Sequence, residues 1–297
     1  MRGGRWIGVA VTGATAIGAL RLLQTRKASH RRVRSQLDRR RMRPTPPGDY
    51  RLSVVIPAYR EQRIGETVER LRSELEKVAE DGGLEILVVD DGSGDGTAER
   101  AEAAGADQVI RFSSNRGKGA AVRAGMLAAR GRAIAFTDAD LSYSPDQILG
   151  LLEQIESGWD VVVGSRRHTD TTTLVRARRL REIGGRVINL FTYAVLLGHH
   201  RDTQCGLKAF RSDVARLIFS RSRIDGFAFD VEVFHLVEEY GLSLAEVPVR
   251  VQNTTSSTVR VVRDALRLLR DLFRIRRWSR LGVYRLEPGQ IDRLLTT

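Results

Sequence analysis

A chain of 297 residues, 42% of them apolar, holds one large α/β domain or two small ones and is too apolar to be mostly disordered. Its formal charge of +13 sits largely at one end: residues 1–51 carry 13 Arg or Lys against Asp38 and Asp49, a net of +11, which leaves +2 for the rest. A basic arm on a nearly neutral body argues against a wholly basic nucleic-acid binder, and the single cysteine, Cys205, excludes an internal disulfide.

Residues 6–23, WIGVAVTGATAIGALRLL, are uncharged except for Arg21. At ~1.5 Å per residue a helix of this length reaches ~27 Å, close to the hydrocarbon thickness of a bilayer. Residues 1–25 are therefore expected to be a membrane anchor, with a disordered or surface-lying leader as the alternative. The arginines from Arg26 to Arg43 outweigh Arg2 and Arg5, so the positive-inside rule places the body on the cytoplasmic side of the cell membrane. Residues 26–50 form a basic linker ending in the Pro-rich break RPTPPGD.

From there apolar runs alternate with amphipathic ones. Strands are predicted at LSVVIPAY (52–59), LEILVVDD (84–91), DQVIRF (107–112), RAIAFTDAD (132–140) and WDVVVGS (159–165). Helices are predicted at about 64–80, 96–105, 118–129 and 144–157. Such alternation gives a mostly parallel sheet with both faces covered, and ligands then bind beyond the carboxyl ends of the strands. Four polar exits, IPAY, VVDDGS, FTDAD and VVGSRR, fall at that edge. Residues 167–200 read as irregular helix. Residues 258–280 read as a basic amphipathic helix with Val262, Leu266, Leu269 and Phe273 on one face, suited to packing on the domain or to an anionic membrane surface, and 281–297 as a tail. The catalytic body spans 51–257.

Three motifs carry chemistry. Asp91, Ser93, Asp95, Gly96 and Glu102 match the spacing of a calcium-binding EF-hand loop, but they follow a β-type run where that loop needs a helix. A strand ending in Asp91, its carboxylate accepting from an N–H, suits the glycines better. NRGKGAAVRAG (115–125) lacks the spacing of a nucleotide-triphosphate loop, yet Lys118 at a helix start favours a diphosphate. Asp138 and Asp140, in FTDADLSYSP, lie at the end of that strand, whose alternation points both side chains the same way, so their repulsion has to be offset by a cation, a shared proton or water. Oxygen ligands without nearby His or Cys favour Mg2+ or Mn2+ shared with phosphate.

Together VVIPAYRE, VVDDGSGDGT, NRGKGAAVRAG, FTDADLSYSP, VVGSRR, DTQCGLKAFR and FAFDVEV resemble the family 2 glycosyltransferases of the GT-A (Rossmann-like) fold, in the polyprenyl-phosphate branch that includes dolichyl-phosphate glucosyltransferases and mannose synthases. The likeness runs from about Leu52 to Trp278, and DTQCGLKAF looks more like the glucosyl enzymes. It implies inverting transfer of a sugar, glucose in the first instance, from a UDP-sugar donor to a polyprenyl phosphate. Pro57, Ala58, Tyr59, Glu61, Asp91, Lys118, Asp138, Ala139 and Asp140 would then bind the nucleotide-sugar, with Asp138 and Asp140 as metal ligands. Asp202 matches the position proposed as base or acceptor orienter, with Asp230 and Glu232 as competitors. Arg166 and Arg179 would hold the acceptor phosphate, and Lys208 and Arg211 approach either substrate. Cys205 reads as a small buried residue. The same fold with GDP-mannose, or with a soluble or polysaccharide acceptor, is the alternative. Nucleic acid is not an expected partner, since Trp6 and Tyr50 are the only aromatics of the basic arm.

Overall fold

The computed structural model describes residues 43–166, 172–173, 205–251, 261–287 and 289–296. The expected anchor (1–25), most of the linker, the irregular helix of 167–200, Arg179 and Asp202 lie outside the described residues.

In chain order the elements are β1 (Tyr50–Ala58), α1 (Ile64–Glu74), α2 (Glu76–Glu80), β2 (Leu84–Asp90), α3 (Thr97–Ala103), β3 (Gln108–Arg111), α4 (Lys118–Ala128), β4 (Gly131–Phe136), α5 (Gln147–Glu156) and β5 (Val161–Ser165). There follow β6 (Thr172–Thr173), β7 (Lys208–Arg211), α6 (Ser212–Arg221), α7 (Phe229–Glu239), β8 (Leu244–Pro248), β9 (Arg250–Val251), α8 (Val261–Arg280) and α9 (Gln290–Thr296). The expected helix over 64–80 is two, broken at Leu75.

Seven strands form one sheet in the order β3-β2-β1-β4-β7-β5-β8. It is parallel except at β7, which runs antiparallel to both β4 and β5. Residues along each strand alternate between two cores. Val55, Val89, Ile134, Phe136, Val163 and Phe210 pack with α4, α6, α7 and α8 on one face. Val54, Ile56, Val88, Ala135, Val162 and Ala209 pack with α1, α3 and α5 on the other. Helix α5 shows why such helices form: Ile148, Leu151, Leu152 and Ile155 recur at i, i+3, i+4 and i+7 and are all buried. Pro57 lies past the last β1–β4 pair, Val55 with Phe136, where a residue without an N–H fits a central strand.

The C-terminal segment joins the first core through Leu268, Leu272, Ile275, Tyr284 and Leu295. This corrects the expected apolar stripe of the helix: the packed face is 268, 272 and 275, while Phe273 is 62% exposed. Two leucine-containing stripes are interleaved on α8, and the periodicity alone does not choose between them. At the other end of the chain, Arg43 pairs with the fully buried Asp160 and with Asp213, and Arg211 donates to Pro44 O at 2.7 Å. Asp160 immediately precedes β5 and Arg211 closes the antiparallel β7, so this docking lies at the edge opposite the carboxyl ends of β1, β2 and β4.

Candidate active site

Three loops at the carboxyl edge are stitched together by short side chains. After β1, Tyr59 is 46% exposed and Arg60 adopts φ 53°, a left-handed conformation that non-glycine residues enter at a cost. The Arg60 N–H donates to Ser93 Oγ at 2.8 Å, and Ser93 donates in turn to Asp90. The Glu61 N–H donates to Thr97 Oγ1 at 3.1 Å, and that hydroxyl donates to Asp95 at 2.5 Å. Asp91 receives the N–H groups of Arg116 and Gly117 on its two oxygens, at 2.7 and 2.8 Å, which fixes the third loop. Burial raises the pKa of Asp91 and these two N–H groups oppose the rise.

The loop after β4 is where the paired carboxylates sit. The strand ends at Phe136, so the alternation expected to align Asp138 with Asp140 stops before them, and each has its own partner. Lys118, first residue of α4, donates to Asp138 Oδ1. Ser142 donates to Asp140 Oδ1 through N–H and hydroxyl, at 3.0 and 2.9 Å. Leu141 between them takes φ 45°. The Ala139 carbonyl accepts from Thr67 Oγ1 at 2.7 Å, which ties the turn to α1. Burial alone would lower the pKa of Lys118, but Asp138, Asp230 and Asp140 hold it above that of an ordinary lysine. Within the protein, then, the charge that offsets the carboxylates is an ammonium.

Strand β7 completes the edge. It pairs Lys208 with Phe136, and continuing that register sets Gly206 opposite Asp138. A Cβ on Gly206 would overlap Asp138 Oδ2, so only glycine lets the backbone come this close. Lys208 is fully buried, donates to Asp230 Oδ1 at 2.7 Å and to the Cys205 carbonyl, and lies 5.3 Å from the Phe136 ring centroid. Burial raises the pKa of Asp230, opposed by Lys208 and Lys118.

The structure thus brings Pro57, Ala58, Tyr59, Glu61, Asp91, Lys118, Asp138, Ala139 and Asp140 to one edge, and Arg166 follows the last residue of β5 at the same edge. It corrects four expectations. Lys208 is turned into the core, onto Asp230 and the Phe136 ring. Arg211 lies at the opposite edge, bonded to Asp213 and Pro44 O. Asp230 is the partner of Lys208. Glu232 is fully buried and accepts from Arg223 N, Ile224 N and the Tyr284 hydroxyl, so both carboxylates are held in buried pairings within the protein. The EF-hand spacing follows β2 and has no helix before it. Cys205 is buried as expected. Sequence reasoning missed Ser142 and the approach of Gly206; the D-x-D-x-S spacing was the available signal for the first, and nothing local signals the second.

The donor set fits a hard divalent cation. Asp140 is exposed, and two carboxylates face one edge; among the described residues no group of three or more His, Cys, Asp or Glu converges. Such a set suits an ion that takes its remaining ligands from a diphosphate and water, the ordinary situation for Mg2+.

The family model described as Glycosyl transferase family 2 matches residues 53–219, over half of the chain. The chain belongs to glycosyltransferase family 2. Among curated relatives, this family 2 glycosyltransferase is 34% identical over 257 residues to dolichyl-phosphate beta-glucosyltransferase of Drosophila melanogaster, covering 80% of this chain and 78% of that one. It is 31% identical over 257 residues to the Homo sapiens enzyme of the same name, with 80% and 78% covered. Among solved structures, mannosyl-3-phosphoglycerate synthase from Rubrobacter xylanophilus aligns with TM-score 0.56 and 25% identity over 82% of each chain. Glucosyl-3-phosphoglycerate synthase from Mycobacterium tuberculosis, in complex with Mg2+ and UDP, aligns with TM-score 0.58 and 24% identity over 78% of this chain and 80% of that one. The fold is the GT-A type, α/β with a mostly parallel sheet.

Proposed function

We propose that this family 2 glycosyltransferase moves glucose, with inversion, from UDP-glucose to a dolichyl-type polyprenyl phosphate at the cytoplasmic face of a membrane. The observation that carries the reading is that 30–34% identity to named dolichyl-phosphate beta-glucosyltransferases extends over 80% of the chain.

In this reading the stitched loops after β1 and β2 hold the nucleoside. Each Asp91 oxygen keeps a second lone pair for a base N–H beyond the backbone donor it already holds. Lys118, at a helix start, and the Asp138–Asp140 turn face the diphosphate. Asp140 and Asp138 would hold Mg2+ or Mn2+, which would supply positive charge against the departing nucleoside diphosphate. A phosphate acceptor is already anionic, so the demand for a strong base is small, and Asp202 orients the acceptor oxygen in line with the anomeric carbon. Arg166 and Arg179 present planar donor forks to the acceptor phosphate. Residues 1–25 and α8, whose sequence carries seven arginines against Asp264 and Asp271, approach the bilayer.

A second reading keeps the donor side and uses a soluble acceptor; it is favoured by the structural likeness to two phosphoglycerate synthases. One assay separates the two: transfer of radiolabelled sugar from UDP-glucose or GDP-mannose, with Mg2+ or Mn2+, with and without polyprenyl phosphate, beside Asp140→Ala. The expected result is lipid-linked glucose that disappears in the variant. Turnover without lipid would move the conclusion to the second reading, and product from GDP-mannose alone would overturn the donor.

A further inference from the structure

The family match ends at residue 219, yet a connected set of contacts runs from the C-terminal segment into the catalytic edge. It begins at Tyr284, four residues past α8 and 1% exposed, whose hydroxyl donates to Glu232 Oε1 at 2.6 Å. Glu232, on the first turn of α7, has no exposed surface and also accepts from Arg223 N at 2.9 Å and Ile224 N at 2.8 Å. One buried carboxylate therefore fixes the chain that leads into residues 224–226.

Those residues press on the start of α4. The N-cap of α4 is Gly117, at φ 106°, and no side chain caps the helix. Instead Ala120 N donates to the Asp225 carbonyl at 3.2 Å, and Arg123 pairs with the Asp225 carboxylate. A Cβ on Gly117 would stand 2.5 Å from Asp225 O, and one on Gly119 would stand 2.5 Å from Ile224 O and 2.7 Å from Phe229 Cβ, so the helix start packs directly on the backbone of 224–226 with little room to absorb a shift. Lys118 lies between these two glycines, and its ammonium is the one bound to Asp138. Moving loop 223–226 by a few tenths of an ångström moves the helix start that aims Lys118.

We propose that Glu232 and Tyr284 are positioning residues for Lys118, so that the segment beyond the family match sets the grip on the donor's diphosphate. Neither residue touches substrate. The inference rests on the reading above, in which Lys118 faces the diphosphate.

The test uses calorimetric titration of the full chain with UDP and with UMP, in the presence of Mg2+, for Tyr284→Phe, Glu232→Gln, Tyr240→Phe and Lys118→Ala. Tyr240 donates to the backbone carbonyl of Tyr284 at 2.9 Å and has no bond to Glu232, so Tyr240→Phe reports a fault in the segment that is only structural. The expected result is that Tyr284→Phe and Glu232→Gln weaken UDP by about three- to tenfold, the scale of one hydrogen bond, while UMP binding stays at the wild-type value. Tyr240→Phe should leave the ratio of UDP to UMP affinity unchanged. Equal weakening of UDP and UMP in the Tyr284 and Glu232 variants, or wild-type UDP binding in both, would overturn the proposal. Lys118→Ala separates the layers. If it weakens UDP and the other two do not, the positioning role alone fails; if Lys118→Ala leaves UDP binding intact, the diphosphate reading of Lys118 fails and the proposal with it.

Discussion

Lys208 illustrates how far a residue's type can mislead about its task. A lysine in a motif shared by a phosphate-handling family suggests a phosphate ligand, yet its neighbour across the sheet is Phe136 and its partner is Asp230, both inside the core. Removing one member of a buried ion pair leaves the other uncompensated, so Lys208→Met should cost about 3 kcal/mol, roughly 6–12 °C in Tm. The double variant Lys208→Met with Asp230→Leu should recover most of that loss; thermal melts of the two proteins decide it. His235 gives a second residue-level expectation. Burial lowers its pKa against weaker support from Glu239 and Glu238, its Nε2 has no partner, and its ring meets Tyr284 edge-on. The unfolded chain protonates His235 near 6.5 and the folded one only below that, so unfolding takes up a proton as pH falls through this window. Its stability contribution is complete above that value and declines below it, at up to ~1.4 kcal/mol per pH unit. In denaturant titrations from pH 7.5 to 5, His235→Leu should flatten that part of the slope; an unchanged slope would place the proton elsewhere. The clustering of Asp91, Lys118, Asp138 and Asp140 at one edge was legible because chemistry and spacing coincide in short motifs at the strand exits. The partners were not, because Gly206, Lys208 and Asp230 meet the others only through the antiparallel register of β7.

At the level of elements, the alternation of apolar and amphipathic runs placed β1 to β5 and their helices within a few residues. Strand β7 escaped notice because KAFR is short and carries a charge at each end, and only its two neighbours in the sheet make it a strand. Helix α8 was found, but its orientation was not, for both of its apolar stripes satisfy a helical period. The exposed Phe273 yields a prediction. Phe273 and Phe227 are 62% and 53% exposed, and Gly226 lies near Asp271 of α8, between Arg270 and Arg274. Aromatic rings flanked by arginines suit an anionic bilayer surface. Because Cys205 is fully buried, a cysteine placed at 273 or at 227 can carry an environment-sensitive fluorophore alone. Adding vesicles with 30% anionic lipid should shift its emission to the blue. The same label at Leu127, 43% exposed near the far end of α4, should not respond. Equal responses at all three positions would show that the helix has no privileged contact with lipid.

For the molecule as a whole, the docking of Arg43 onto Asp160 and Asp213 fixes where the N-terminal arm leaves the body, and that point is opposite the catalytic edge. A compact body of this size is ~45 Å across. Residues 26–42, drawn out fully, reach ~60 Å at most. If residues 1–25 hold the bilayer and the catalytic edge must meet a phosphate at its surface, the arm has to come round the side of the body with little slack. Deleting eight residues from 26–42 should then suppress transfer to an acceptor embedded in vesicles while UDP binding is unchanged, and an inserted Gly-Ser stretch of the same length should be tolerated. Equal transfer by the shortened protein would mean that the two ends need not face one membrane. On that reading the arm would be a leash: its length, more than its charge, would decide which way the enzyme can look.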